Sequence, residues 1–224
     1  MWRFTSSIVT ILFCVVTGES VAQDGYPVAP RPLPDAEEIA LATSAAPAAI
    51  SGTAAVYAVR ESGAVQLRKG SNGVVCMVAR DLHGGSAYPI CYDREAARTV
   101  MKREVLEVTL RASGKSEDEV RDLVKAGYAD GSLPHPAKPA ISYMMSPKQV
   151  LFSDPTKEGR RVGPWSPHLM ISMPNLTAAQ LGVDSTADLD VLQIDHPGEP
   201  GALLIVKVPK WSDGTPVRVP SSSD

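Results

Sequence analysis

The order of helical and strand-like patterns along the chain limits the fold more than any other feature. Residues 94–110 and 117–128 repeat apolar side chains at the spacing of a helix face. The segments on both sides instead form short alternating or continuously apolar runs bounded by glycine and proline, which is typical of strands. This order predicts an α+β fold, a single domain with a mostly antiparallel sheet covered on one face by two central helices.

The first strands are predicted at 54–59, 64–68 and 74–78. Asn72-Gly73 lies between the second and the third, and this dipeptide is a hairpin signal, so an antiparallel meander is expected. Residues 81–90 are expected to form a loop. Further strands are predicted at 141–145 and 169–173, and a final hairpin at 191–194 and 203–208.

Helix starts are predicted from capping residues. Asp35 with Glu38 has capping-box spacing ahead of a helix over 36–44. Asp93 is a good N-cap for the helix over 94–110. Ser116 with Glu119 forms the capping box of the next helix, and Thr177 caps a short helix.

The N-terminus has the order of a secretory signal: Arg3, an apolar run over 8–16, then small residues up to Ala22. The run is far shorter than the roughly 20 residues of a membrane span. Phe13 precedes Cys14, which does not fit a lipid-anchor site. Residues 1–22 are therefore predicted to be a signal peptide cleaved after Ala22, giving a periplasmic or secreted protein.

The mature part is expected to begin with an extended Pro-rich tail over 23–34. A single domain over 35–210 follows, and 211–224 is expected to be a flexible tail. The mature part contains two cysteines, Cys76 and Cys91, and their spacing is not C-x-x-C. In an exported protein an even count indicates one structural disulfide rather than a redox pair.

The net charge of −3 is unchanged by removal of residues 1–22, which takes away one base and one acid. A chain without a basic excess does not match a nucleic-acid binder and has no electrostatic reason to sit on an anionic membrane. We expect no stable membrane insertion after cleavage. The expected partner is an unknown small molecule or an envelope protein.

Histidines offer few candidates for metal or catalytic chemistry. None of His83, His135, His168 and His196 belongs to a spaced metal motif, and no phosphate loop or cofactor motif occurs, so neither metal nor cofactor is expected. His168 begins a strand beside a Gly/Pro-rich loop, a common place for a site residue. On that strand Leu169, Ile171 and Met173 are expected to face the core, with His168 on the more polar face.

Two further residues accompany His168 as low-ranking catalytic candidates. Ser146 and Tyr143 belong to a segment that would lie beside His168 if the two strands paired. Neither sits in a known serine-hydrolase motif. Ser146 equally fits a capping role for a turn that begins at Pro147.

Residues 70–78, 89–93 and 167–170 resemble a group of exported bacterial proteins of unknown function. The resemblance implies an envelope or secreted protein and brings no activity with it. The first hypothesis is therefore an exported binding or interaction module. The alternatives are an exported hydrolase of an unfamiliar family, using His168 with Ser146 or Tyr143, and a PAS-like ligand- or cofactor-sensing module.

Overall fold

Eight strands form one sheet in the computed structural model, which describes residues 33–60, 63–81, 86–149, 165–185 and 191–217. The helices are α1 Asp35–Thr43, α2 Ala48–Ser51, α3 Arg94–Arg98, α4 Val100–Ala112 and α5 Glu117–Asp130. The strands are β1 Ala55–Arg60, β2 Gly63–Arg68, β3 Val75–Asp81, β4 Ser86–Tyr92, β5 Ile141–Met144, β6 His168–Ser172, β7 Leu192–Asp195 and β8 Leu203–Lys207. The order across the sheet is β2-β1-β3-β4-β5-β6-β8-β7, which confirms the α+β prediction.

The predicted meander is wrong at its third strand. β2 pairs antiparallel with β1, but β3 pairs with the other edge of β1 and runs parallel to it. The connection crosses the start of β1, where Ser71 N–H donates to Thr53 O and Ala55 N–H donates to Val74 O. A Cβ on Gly70 would lie 2.1 Å from the Ala55 nitrogen, so this crossing requires glycine.

The predicted loop over 81–90 is also wrong, because β3 extends to Asp81 and residues 86–92 form β4. Pro89 is tolerated in this strand because it lies opposite Val78 and outside the part of β4 that pairs with β5. Cys76 and Cys91 are directly opposed on β3 and β4 and form the expected disulfide. The disulfide therefore joins two neighbouring central strands.

The predicted helix over 94–110 is divided at Thr99 into α3 and α4. Asp93 caps α3 as expected and accepts from Ala96 N–H at 2.7 Å. α3 and α4 cover one face of the sheet. The apolar core on this face contains Met77, Ala79, Ile90, Tyr92, Ala96, Val100, Val108, Ala140 and Leu203.

The N-terminal helices pack on the opposite face, against β1, β3 and β4. Their core is rich in alanine and includes Cys76 and Cys91 of the disulfide. The expected capping box of Asp35 and Glu38 is not formed, because Pro34 is the N-cap. Glu38 instead pairs with Arg80 of β3, and Asp35 pairs with Arg60.

Other local predictions are confirmed. Ser116 and Glu119 form a full capping box at α5. Lys115 and Ser116 hold the pKa of the Glu119 carboxyl at about 2 by hydrogen bonds. Thr177 and Gln180 form a second box, at the 3₁₀ helix Ala178–Leu181.

The predicted signal peptide and most of the predicted N-terminal tail lie outside the described residues. Within the described part, no helix has the length and apolar content needed to cross a bilayer. Residues 210–217 form a turn in which Lys210 bridges to Pro216, and Ser212 Oγ donates to Ser44 O at 2.5 Å. The rest of the predicted C-terminal tail lies outside the described residues.

Candidate functional site

His168 is the first residue of β6 and is 2% exposed. Its Nδ1 lies 2.8 Å from the Ser166 carbonyl oxygen, which can only accept, so Nδ1 carries the ring proton. Nε2 is then a lone-pair acceptor, and it has no hydrogen-bond partner within the described ranges. Burial lowers the pKa of the imidazole, with a smaller contribution from Lys207. His168 is therefore a neutral, buried base with one free position.

The register of the strands decides which side chains share a face with His168. His168 is opposite Met144 on β5 and Lys207 on β8. This row lies on the face that α3 and α4 cover, where Met170 also packs against the core. The expected burial of β6 is reversed: Leu169 and Ile171 point to the other face and are only half-buried, and Met173 is 38% exposed.

A cavity of about 330 Å³ lies between this face of the sheet and α4. We call it the His168 cavity. Its apolar lining is formed by Ile90, Val100, Met144, Met170, Leu203 and Ile205, and its polar lining includes Tyr88, Arg103, Glu104, Glu107, Arg111, Glu117, Asp195 and His196. An apolar pocket of this size with a few convergent polar groups is typical of small-molecule sites.

Glu104 is the most unusual polar residue of the cavity. It is 9% exposed and accepts from the Tyr88 hydroxyl at 2.7 Å. No Lys, Arg or His nitrogen within the described ranges lies at ion-pair distance from its carboxyl. Burial raises the pKa of Glu104, and the neighbouring Glu107 raises it further. Burial also raises the pKa of Tyr88, and the neighbouring Glu104 carboxyl raises it further.

The two arginines of the cavity wall are already paired with acids. Arg103 Nε lies 3.3 Å from Glu107 Oε1, and Arg103 Nη1 donates to Gly201 O at 2.6 Å. Arg111 pairs with Glu107 at 3.4 Å and with Glu117 at 2.9 Å. These residues also border a neighbouring cavity of about 440 Å³ that extends to Tyr128 and Lys125.

Trp165 stands at the mouth of the His168 cavity and is 49% exposed. Its ring centroid lies 6.0 Å from that of His168, with the planes tilted by 46°. Buried Gln149 donates to the Trp165 carbonyl at 2.7 Å and so fixes the backbone before β6. Trp165 and His168 also border a third cavity of about 340 Å³, on the side of Lys207.

The structure does not bring the other two predicted site residues to this cavity. Tyr143 is opposite Leu169 and packs with the core on the α1 face. Burial, reinforced by Asp93, raises the pKa of its hydroxyl. Ser146 is fully buried, with its Oγ 2.7 Å from Ser44 Oγ and accepting from Lys148 N–H at 3.1 Å, which is the predicted capping role.

The remaining histidines have separate surroundings. His83 lies outside the described residues. His135 stacks on Tyr128 with centroids 4.7 Å apart, and His196 borders the His168 cavity and lies 3.6 Å from Asp195. Within the described ranges no three His, Cys, Asp or Glu side chains are grouped to hold a metal.

Sequence reasoning missed Glu104, although a signal for it was present. Val100, Glu104 and Val108 are spaced by four residues and share one helix face, so a carboxylate stands within an apolar stripe. A charged residue at such a position is buried and needs a reason to be there. Tyr88 was missed because its strand was predicted to be a loop.

Comparison with known proteins adds no relative to this geometry. No protein-family model, curated protein or solved structure matches the chain.

Proposed function

We propose that the protein is an exported binding module whose ligand occupies the His168 cavity. The observation that carries this proposal is the buried imidazole of His168, which lines a cavity of about 330 Å³ and whose Nε2 has no hydrogen-bond partner within the described ranges. A buried polar atom without a partner costs free energy, so its retention is best explained by a ligand that satisfies it.

Export is supported by the signal-like order of residues 1–22 and by the disulfide between Cys76 and Cys91. Mass spectrometry of the protein expressed with its own N-terminus and recovered from outside the cytoplasm tests it. We expect a chain that begins at Gln23 and whose mass is lower than that of the reduced form by two hydrogens. A chain that stays in the cytoplasm and keeps residue 1 contradicts export.

Ligand binding is tested by thermal denaturation against a library of small neutral, cationic and anionic compounds. A binding compound raises the melting temperature because it binds the folded state alone. Ile205→Phe narrows the cavity, and Val206→Phe places the same bulk on the opposite face of β8. We expect ligand stabilisation to disappear in the first variant and persist in the second. A library without a stabilising compound, or stabilisation that survives Ile205→Phe, overturns the proposal.

An enzyme that uses His168 is the second candidate function. One observation favours it: burial lowers the pKa of His168 and raises that of Glu104 within the same cavity. Such a divergent pair is typical of acid–base sites. The test is a screen for turnover of esters, peptides and phosphates. His168→Gln should abolish any turnover while the protein stays folded, and activity that survives in this variant excludes the enzyme candidate.

A further inference from the structure

We propose that the His168 cavity binds a small organic amine as its ammonium ion, with the Glu104 carboxylate and His168 Nε2 as hydrogen-bond acceptors. This inference rests on the proposed binding function and names the chemical class of the ligand. It makes the two unusual polar groups of the cavity parts of one recognition site.

Both groups are acceptors with unused hydrogen-bonding capacity. His168 Nε2 has no partner, and Glu104 receives a single hydrogen bond, from the neutral Tyr88 hydroxyl, within the described ranges. A carboxylate offers about four lone-pair positions, so most of the acceptor capacity of Glu104 is unused. A protonated amine supplies up to three N–H donors and a positive charge, which is what such a pair lacks.

The charge of the cavity wall favours a cation over an anion. Arg103 and Arg111 are both engaged, by Glu107 and Glu117. An anionic ligand would have to displace these carboxylates and would also face Glu104. An ammonium group instead meets the Glu104 carboxyl, which forms no ion pair with any residue that the structure describes.

The rest of the cavity suits an apolar body attached to the amine. Met144, Met170 and Ile205 line the side of the sheet next to His168. Trp165 at the mouth presents an aromatic ring, and indole is the side chain that attracts cations best through its π face. The ligand is therefore an alkylamine or arylalkylamine rather than a polyamine or an inorganic cation.

The protonation state of Glu104 can be followed during ligand binding in the wild-type protein, without any substitution. Burial, with Glu107, raises the pKa of Glu104, so an ammonium ion that binds beside it favours loss of the proton. The titratable and charged groups that act on Glu104 are Tyr88 and Tyr92 from β4 and Arg103, Glu107 and Arg111 from α4. The calorimetric heat of amine binding should therefore depend on the ionisation enthalpy of the buffer.

The experiment uses three probes of one shape: 2-phenylethylamine, 2-phenylethanol and phenylacetate. Binding is followed by the fluorescence of Trp165, with Trp165→Phe as the blank, and by calorimetry in phosphate and in HEPES, neither of which is a primary amine. We expect the amine to bind at least about tenfold more tightly than the alcohol and the acid. Only the amine should show a heat that depends on the buffer.

Glu104→Gln keeps the shape of the side chain and removes its charge. It should weaken amine binding at least about tenfold and weaken alcohol binding much less, because the glutamine oxygen still accepts a hydrogen bond but carries no charge. Asp118→Asn is the matched control, because it removes one negative charge from a residue whose side chain is 80% exposed on α5 and outside the cavity. Urea denaturation of both variants establishes that they are folded, and the buffer dependence tests the wild type independently.

The outcomes separate the two proposals. A library without any stabilising compound, and no response to the three probes, removes the binding function itself. Three results overturn the amine inference and leave the binding function standing. In the first, the stabilising compounds include no amine. In the others, the alcohol or the acid binds as tightly as the amine or more tightly, or the fluorescence change persists in Trp165→Phe.

Discussion

Glu38 of α1 and Arg80 of β3 form a buried bidentate ion pair. Arg80 Nη1 lies 2.6 Å from Glu38 Oε1, and Nη2 lies 2.5 Å from Oε2. The side chains are 0% and 6% exposed. This pair, together with the Leu33 N–H that donates to Glu38 Oε2 at 3.2 Å, fixes the start of the first helix on the sheet.

Removing one partner should be far more harmful than removing both. Glu38→Ala leaves the Arg80 guanidinium buried without a counter-ion, and we expect a loss of about 3–5 kcal/mol in the free energy of unfolding. Glu38→Leu combined with Arg80→Met should recover most of it. Asp35→Ala, which breaks the exposed pair with Arg60, is the control and should cost about 1 kcal/mol or less. Urea denaturation measures all three, and equal losses for Glu38→Ala and Asp35→Ala would contradict this account.

The disulfide should contribute strongly because it closes a loop of sequence separation 15 between central strands. The chain-entropy model gives about 3 kcal/mol for a loop of this length. We expect the double variant Cys76→Ala, Cys91→Ala to lose about this amount in urea denaturation. Reductant should lower the unfolding midpoint of the wild type and leave that of the double variant unchanged. A reductant effect of equal size on both would show that it acts elsewhere.

Ser146→Ala should affect stability rather than any activity of the cavity. Its hydroxyl is buried against Ser44 Oγ and accepts from Lys148 N–H. We expect a loss of about 1 kcal/mol, and non-additivity with Ser44→Ala in a double-mutant cycle. Ligand stabilisation in the thermal assay should be unchanged. Loss of ligand binding at full stability would return Ser146 to the list of site residues.

Glu104→Gln should stabilise the protein at neutral pH. Burial raises the pKa of Glu104 in the folded state above its ordinary value of 4.5. The folded state therefore prefers the protonated form, and its stability falls as the pH rises from about 4.5 through the folded pKa. The advantage of Glu104→Gln should be present at pH 7 and vanish near pH 4. Glu107→Gln, which deprives buried Arg103 of its partner, should destabilise instead.

His168 should give the opposite dependence on pH. Its pKa is lowered in the folded state, so the unfolded chain takes up a proton near its ordinary value of 6.5, where the folded protein remains neutral. The contribution of His168 to the free energy of unfolding is complete above pH 6.5 and is lost as the pH falls through the pKa of His168 in the folded state. In His168→Gln the urea midpoint should therefore depend less on pH between pH 7.5 and 5 than it does in the wild type. The same dependence in both proteins would contradict a buried neutral His168.

The helical or strand character of most segments, the disulfide and the Ser116–Glu119 box were predictable because each depends on neighbours in sequence or on a composition rule. Capping residues act on their own first turn, and the two cysteines that follow Ala22 permit one pairing. The division of the central helix at Thr99 has no comparable local signal, since the apolar spacing continues across it.

The candidate site was only partly predictable, because the buried face of β6 is chosen by distant elements. Leu169 and Ile171 are the more apolar set, but α4 packs on the other face, where His168 lies. A prediction based on hydrophobicity alone therefore chose the wrong face of β6 as the buried one. Tyr143 and His168 do lie on paired strands, as the hydrolase hypothesis required, but an odd register step places their side chains on opposite faces.

The bond from Ser212 Oγ to Ser44 O has a kinetic consequence. The end of the first helix obtains this partner from a residue 168 positions later in the chain. As the chain emerges from its N-terminus, α1 can form early but cannot complete this contact until the C-terminal turn has emerged as well. Completion of this contact is thus a late step, even where β3 and β4 have already paired.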